Sequence, residues 1–109
     1  MAYDEVLASR IRSVLDRQPG LVEKKMFGGV AFLIRGNMAC GVHKDMLMAR
    51  VGPEAYDETM KYPHTRPFDM TGRAMKGWVL VEPDGISSET DLQEWVTTGV
   101  KFALTLPPK

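Results

Sequence analysis

Four short apolar segments between residues 22 and 51 constrain the fold most, because almost no residues remain to connect them. VEKKMF is followed by Gly28-Gly29, VAFLIR and MACGVH are joined by Gly36-Asn37, and Lys44-Asp45 leads into MLMARV. Parallel strands need a crossover of a dozen or more residues, whereas a loop of Gly and Asn supplies the positive φ angles of a tight hairpin. The pattern therefore predicts an antiparallel meander of four strands.

Helical patterns lie before and after this meander. Apolar residues recur on one helical face from Tyr3 to Val14, and Pro19-Gly20 predicts that this first helix ends at about residue 18. Residues 53–62, PEAYDETMKY, predict a middle helix with Pro53 at its first position. Ser88 and its neighbours resemble a capping box that begins a last helix, with an apolar stripe from Leu92 to Leu106.

Two more strands complete the predicted architecture. Arg66-Pro67-Phe68 suits a short edge strand, because a proline cannot donate to a central ladder, and WVLVE at residues 78–82 is typical of a buried strand. The order α-β-β-β-β-α-β-β-α predicts a single α+β domain over residues 1–109. We expect a two-layer fold: an antiparallel sheet of five to six strands, with the N-terminal, middle and C-terminal helices packed mainly on one face.

Charge and cysteine content exclude several classes of protein. Fourteen Lys and Arg balance fourteen Asp and Glu in 109 residues, which argues against a free-standing nucleic-acid binder, whose pI normally exceeds about 9. The single cysteine, Cys40, cannot form an internal disulfide. The longest apolar stretch, Val30 to Ile34, is far short of a membrane span, and no signal peptide is evident. We expect a cytoplasmic protein without membrane contact.

The zero net charge is divided unevenly along the chain. Residues 1–52 carry eight basic and five acidic groups, and residues 53–109 carry six basic and nine acidic groups. The halves are therefore +3 and −3. This division fits either chance scatter over a solvated surface or a polarised surface that meets an acidic partner or favours self-association.

Three segments carry a resemblance to a known family. KKMFGGVAFLIRGNMACGV followed by LMARVG, then RAMKGWVLVEPDGI, and finally LQEWVTTGVKFALTLPPK resemble the N-terminal domain of the TfoX/Sxy competence regulators from about Ser13 to Lys109. The resemblance implies a secretion-chaperone-like α+β fold and a regulatory, non-enzymatic role in transcriptional control of DNA uptake. Full-length relatives act with the cyclic-AMP receptor protein and add a C-terminal domain similar to helix-hairpin-helix modules. The chain stops before such a domain, so we expect no DNA contact from it.

The residues that carry the resemblance are interpreted as structural. They include the Met-Phe-Gly-Gly hairpin and the glycines of the later motifs: Met26, Phe27, Gly28, Gly29, Gly36, Asn37 and Gly77. Gly28-Gly29 lacks the lysine and the following helix of a phosphate-binding loop, which favours a bulge or sharp bend between two strands, or close backbone packing against a helix. The family has no agreed catalytic motif, and no catalytic residue is assigned.

A basic and aromatic segment is the best candidate for a binding surface. Arg66, Arg73 and Lys76 surround Phe68 and Trp78 in the stretch before the last strand. With Lys24 and Lys25, these cations and Trp78 suit a small anionic ligand or a nucleic-acid strand. The alternative is that both aromatic residues belong to the core and the charges are merely solvated.

Other side chains give weaker signals. Cys40 and His43 lie three residues apart on a strand and so point to opposite faces, which argues against a Cys-His pair or a metal site. We expect no metal, no cofactor and no enzymatic activity. Met46 and Met48 share a strand face, and methionine suits adaptable contacts with a protein partner or a second copy of the chain. The leading prediction is therefore a protein-interaction module.

Overall fold

The computed structural model of the protein describes residues 3–26, 28–68 and 75–109. Three helices and six strands follow the predicted order, with one 3-10 turn at Pro83–Gly85 between β6 and α3. The elements are α1 Glu5–Val14, β1 Leu21–Met26, β2 Gly29–Ile34, β3 Asn37–His43, β4 Met46–Arg50, α2 Tyr56–Thr59, β5 Thr65–Pro67, β6 Trp78–Val81 and α3 Glu89–Leu104. The predicted α+β class is confirmed.

The six strands form one open antiparallel sheet in the order β1-β2-β3-β4-β6-β5. The first four strands pair with their chain neighbours, as the predicted meander requires. β6 then pairs with β4, and β5 pairs with the other side of β6. The basic strand β1 and the short strand β5 therefore lie at opposite edges of the sheet.

The main core lies between the sheet and the helices, which pack on one face as predicted. α3 crosses β3, β4 and β2, and α1 packs beside α3. Leu7 and Ile11 of α1, with Leu92 and Val96 of α3, are almost fully buried. Strand side chains that point to the same side complete this core: Val30, Phe32, Ile34, Cys40, Val42, Leu47, Ala49, Val79 and Val81.

No helix in the described part of the chain is long and apolar enough to cross a membrane.

Two glycines allow backbones to approach closely. The pairing of β2 with β3 shifts at Phe32 and Leu33, which leaves Ala39 as the extra residue of a bulge. Gly99 of α3 lies on this bulge, where a Cβ atom would overlap the carbonyl oxygen of Ala39. A Cβ atom on Gly29 would similarly overlap the carbonyl oxygen of Val42 in β3. Close backbone packing is thus found at Gly29, but against a neighbouring strand and not against a helix as predicted.

The turn of the hairpin between β2 and β3 lies one residue earlier than predicted. Its two-residue turn is Arg35-Gly36, with φ angles of 53° and 85°, rather than Gly36-Asn37. Asn37 is instead the first residue of β3 and is buried. Its side-chain amide donates to the carbonyl oxygen of Pro107 at 2.8 Å, a contact that fastens the end of the chain to the sheet. This long-range bond explains why Asn37 is not the turn residue.

Both shorter helices end earlier than the positions of the prolines predict. α1 ends at Val14, Leu15 is its C-cap, and the following residues form a turn that leads to β1. α2 comprises only Tyr56–Thr59, and residues 53–55 precede it as a turn. After α2, Lys61 and Tyr62 donate to the third residue back instead of the fourth, at 3.1 and 3.0 Å. These tighter bonds cannot continue an α-helix.

Candidate functional site

The sheet face opposite the helices, called here the open face, is the first candidate surface. Alternation along each strand and the pairing registers assign its side chains. They are Val22, Lys24, Ala31, Leu33, Met38, His43, Met46, Met48, Arg50, Arg66, Trp78 and Leu80. No helix covers this face in the described part of the chain.

A small apolar cluster lies on the open face, separate from the main core. Met48 and Leu80 are buried beneath Phe68, which follows β5 and lies across the sheet. The Phe68 ring meets His43 at 6.2 Å between centroids and Trp78 at 6.4 Å. Phe68 therefore belongs to this cluster, as the core interpretation predicted for it. Met38, Met46 and Trp78 are half-buried and pack against this cluster.

The charges that the described strand residues place on the open face have one sign. Lys24 of β1, Arg50 of β4 and Arg66 of β5 point to it. No carboxylate projects from the described strand residues to this face, because the only acidic strand residue among them, Glu23, points to the helix side. There it accepts two hydrogen bonds from Arg12, from Nε at 2.9 Å and from Nη2 at 2.5 Å. The open face is consequently basic.

Arg50 occupies a specific environment at the end of the sheet. Its Cζ atom lies 4.8 Å from the ring centroid of Trp78 and 5.2 Å from that of Phe102 in α3. Nη1 donates to the backbone carbonyl of Met38 at 3.3 Å. We call Arg50, Met38, Trp78 and Phe102 the Arg50 cradle. Partial burial lowers the pKa of Arg50, while its guanidinium remains charged.

The predicted cationic residues that the structure describes are distributed over the molecule and do not form one pocket. Lys24 and Lys25 both project from β1, but Lys24 points to the open face and Lys25 to the helix side. Arg66 shares the open face with Lys24 from the opposite edge, five strand spacings or roughly 24 Å away. Lys76 is exposed just before β6, near Trp78 in sequence. Their role in binding a nucleic acid or an anion stays a prediction.

Some predicted residues lie partly or wholly outside the described ranges. Phe27 and Arg73 are among them, and only the backbone of Met26 is described. Gly77 is described: its carbonyl oxygen accepts from the backbone N–H of Val51 at 2.8 Å and of Gly52 at 3.1 Å. That contact joins the start of β6 to the end of β4 and supports a structural role for Gly77.

Cys40 and His43 are separated as predicted. Cys40 lies in the core on the helix side, and burial raises the pKa of its thiol to about 12. Such a thiol stays protonated and unreactive at neutral pH. His43 lies on the open face, at the end of β3. Within the described residues, no group of His, Cys, Asp and Glu side chains could hold a metal ion.

A second depression, called here the acidic groove, lies on the helix side. It has a volume of about 910 Å³ and is open to solvent between the end of α2, the 3-10 turn and α3. Tyr62 and Trp95 form one wall, with their rings edge to face at 6.0 Å. Asp84, Asp91 and Glu94 line the groove together with Lys101, and none of these three carboxylates makes an ion pair with a described residue.

Sequence reasoning did not single out Arg50 or the acidic groove. The only local signal for Arg50 is its alternation with Met46 and Met48, which places all three on one strand face. Trp78 and Phe102 meet Arg50 only through the pairing of β4 with β6 and the crossing of α3. The groove likewise brings together segments that are distant in sequence.

Comparison with known proteins identifies one family. The family model of the TfoX N-terminal domain matches residues 13–103, which is most of the chain. No curated protein and no solved structure matches the chain. The resemblance inferred from the sequence segments is therefore confirmed at the level of the family.

Proposed function

Because the chain belongs to the TfoX N-terminal domain family, we propose that it is a non-enzymatic regulatory module that binds a protein partner through its open face. Its role, on this proposal, is in the transcriptional control of DNA uptake. The module works in the cytoplasm and needs neither metal nor cofactor.

One observation carries the proposal: the described strands give the open face half-buried apolar side chains together with charges of a single sign. Met38, Met46 and Trp78 border the apolar cluster, and methionine and tryptophan are typical of adaptable protein contacts. Lys24 and Arg66 lie at opposite edges of the same face. A polar, basic rim around an apolar centre is the usual anatomy of a protein interface.

The same charges indicate which kind of partner fits. Two copies of the open face placed against each other would bring like charges together, and such juxtaposition is costly at an interface. An acidic partner gains from the same cations, which speed its association and orient it. The proposal therefore commits to an acidic protein with exposed apolar side chains, and not to a symmetric dimer through this face.

Two adjacent lysines provide a matched test. Lys24→Glu reverses a charge on the open face, and Lys25→Glu makes the same change on the helix side of the same exposed strand. Proteins bound to tagged wild type and to each variant are to be recovered from native cells and quantified by mass spectrometry. Reversing one rim charge is worth about 0.5–1.4 kcal/mol, so we expect roughly a two- to tenfold loss of partner for Lys24→Glu alone.

The outcome that contradicts the proposal is equally specific. Equal recovery with both variants would show that the open face does not hold the partner, whatever protein is recovered. A partner lost only with Lys25→Glu would place the contact on the helix side. Thermal unfolding of both variants, expected to match wild type because both lysines are exposed, controls for damage to the fold.

The regulatory part of the proposal has its own test. Deleting the gene is expected to lower transcript levels of the DNA-uptake genes in cells under competence-inducing conditions. Complementation with wild type or Lys25→Glu should restore these transcripts, whereas Lys24→Glu should restore them less. Unchanged transcripts after deletion would remove the link to DNA uptake and leave the protein-binding proposal to be judged on its own test.

A further inference from the structure

The guanidinium of Arg50 has hydrogen-bond donors that the structure does not use. A guanidinium carries five N–H donors, and Nη1 of Arg50 donates to Met38. Nε and Nη2 make no hydrogen bond to any residue in the ranges 3–26, 28–68 and 75–109. These two nitrogens form one edge of a planar group, so their donors point the same way.

Arg12 shows in this same chain what such an edge binds. Its Nε and Nη2 each donate to one carboxylate oxygen of Glu23, at 2.9 and 2.5 Å. Parallel bonds of this kind match the spacing of the two oxygens and are stronger than bonds between neutral groups. Arg50 presents the corresponding edge without a carboxylate among the described residues.

The environment of Arg50 adds an electrostatic argument. No described carboxylate lies within 4 Å of its guanidinium, although the side chain is half-buried. Burial lowers the pKa of Arg50, which reflects the cost of removing a cation from water. The two ring faces offset part of that cost. A bound anion would offset more of it, and the rings restrict the rotamers of the side chain before the anion arrives.

We propose that the Arg50 cradle binds a carboxylate, which accepts hydrogen bonds from Nε and Nη2 of Arg50 beside the rings of Trp78 and Phe102. The Nε–Nη2 edge matches the two coplanar oxygens of one carboxylate, which is the group that the same edge of Arg12 binds in this chain. The bordering rings favour an acid with an apolar stem. Both a free organic acid and an acidic side chain of a bound protein carry this group. The proposal stands independently of the regulatory function.

The two tryptophans make the site directly measurable. Trp78 belongs to the cradle, whereas Trp95 lines the acidic groove on the helix side. Acetate is to be titrated into the ¹⁵N-labelled protein at constant ionic strength, with chloride as the exchanged ion, while NMR follows the indole N–H signals and the Nε–H of Arg50. We expect saturable shifts of Trp78 and Arg50 with Kd on the order of 10 mM, and no shift of Trp95.

Two arginine variants separate geometry from charge. Arg50→Lys keeps the positive charge but removes the planar edge, so we expect acetate affinity to fall at least fivefold. Arg17→Lys makes the same change at an exposed arginine that follows α1, away from the open face, and should leave the affinity unchanged. Equal binding by wild type and Arg50→Lys would overturn the proposal. The titration of wild type decides the question even where Arg50→Lys does not fold.

Further ligands define the class and the source of the carboxylate. Tighter binding of inorganic phosphate than of acetate, equal shifts of both indoles, or no saturable shift of Trp78 would each overturn the proposal. Acetyl-glutamate amide represents an acidic side chain, and succinate represents a free acid. Equal or tighter binding of the capped glutamate assigns the site to a partner's side chain, and clearly tighter binding of succinate assigns it to a free acid. Both results support carboxylate binding.

Discussion

Replacing Gly99 by alanine tests how closely α3 packs on the sheet. In an ordinary helix this change stabilises the protein by about 0.5–1 kcal/mol, because alanine has the higher helix propensity. Here the added Cβ atom would overlap the carbonyl oxygen of Ala39 and lie 3.0 Å from its carbonyl carbon. Since these are backbone atoms in a central strand, the helix has to shift away from its core contacts.

The expected effect is a net loss of stability. Overpacking a well-packed core typically costs about 1–3 kcal/mol, which exceeds the propensity gain. We therefore expect Gly99→Ala to lower the free energy of unfolding by about 1–2 kcal/mol and the Tm by roughly 5–10 °C. Urea unfolding at 25 °C measures the first quantity, and an unchanged m-value would show that the native fold is retained.

Two controls identify the backbone contact as the cause. Thr98→Ala changes the adjacent, exposed residue of α3 and should alter stability by no more than about 0.5 kcal/mol. Ala39→Gly removes the side chain but not the carbonyl oxygen, so the double variant with Gly99→Ala should show no rescue. A Tm of Gly99→Ala equal to or above that of wild type would refute the close approach of α3 and β3.

Two further predictions concern ionisable groups. Because the pKa of Cys40 is raised to about 12, its thiol in the native protein should react slowly with a disulfide reagent at pH 8. We expect labelling about a thousandfold slower than that of the unfolded protein in guanidinium chloride. Fast labelling of the native protein would contradict the burial of Cys40. The hydrogen bond from Arg12 lowers the pKa of Glu23 in the folded protein. The ionised Glu23 carboxylate should therefore stabilise the fold fully above its unfolded pKa of about 4.3, and this stabilisation should disappear as the pH falls through its lower pKa in the folded protein. Because the Arg12–Glu23 pair is largely exposed, we expect it to stabilise the protein by about 0.2–1 kcal/mol. The free energies of unfolding of wild type and Glu23→Gln, measured in urea, should therefore differ at pH 7 and converge near pH 2. A difference that stays constant with pH would contradict the ion pair.

The strands and their order could be predicted because the signals are local. Alternation of apolar residues and short connections restrict residues 21–50 to a meander, whatever the rest of the chain does. Ser88 similarly marks the beginning of α3, where its side-chain oxygen accepts from the backbone N–H of Asp91 at 3.1 Å. Each of these signals involves residues only a few positions apart.

The errors lie where a distant contact outweighs a local preference. Asn is a good turn residue, and Gly36-Asn37 is therefore the natural choice for a hairpin loop. Asn37 instead enters β3 because its amide bonds to Pro107, seventy residues later. Arg35 then takes the positive φ angle, a conformation that its type rarely adopts. Nothing in the local sequence indicates this exchange.

The candidate site is still harder to predict from the sequence, because distant contacts determine which of its side chains meet. The sequence places Lys24 and Lys25 side by side, but the alternation of a strand sends them to opposite faces. It also separates Arg50 from Trp78 by 28 positions, whereas the pairing of β4 with β6 puts them directly opposite. A binding surface on a sheet thus depends on strand order, and the insertion of β6 between β4 and β5 is not encoded in any local pattern.

Strand order also changes the meaning of the neutral net charge. The open face carries cations without a described strand carboxylate, while Asp84, Asp91 and Glu94 line the acidic groove on the helix side. The two lie on opposite sides of the sheet, and packed layers are about 10 Å apart, whereas exposed charges are screened beyond about 8 Å at physiological salt. An approaching partner therefore encounters the local charge and not the total. Zero net charge excludes neither a basic docking surface nor an acidic groove, and partner binding at the open face should weaken as salt rises although the protein as a whole is neutral.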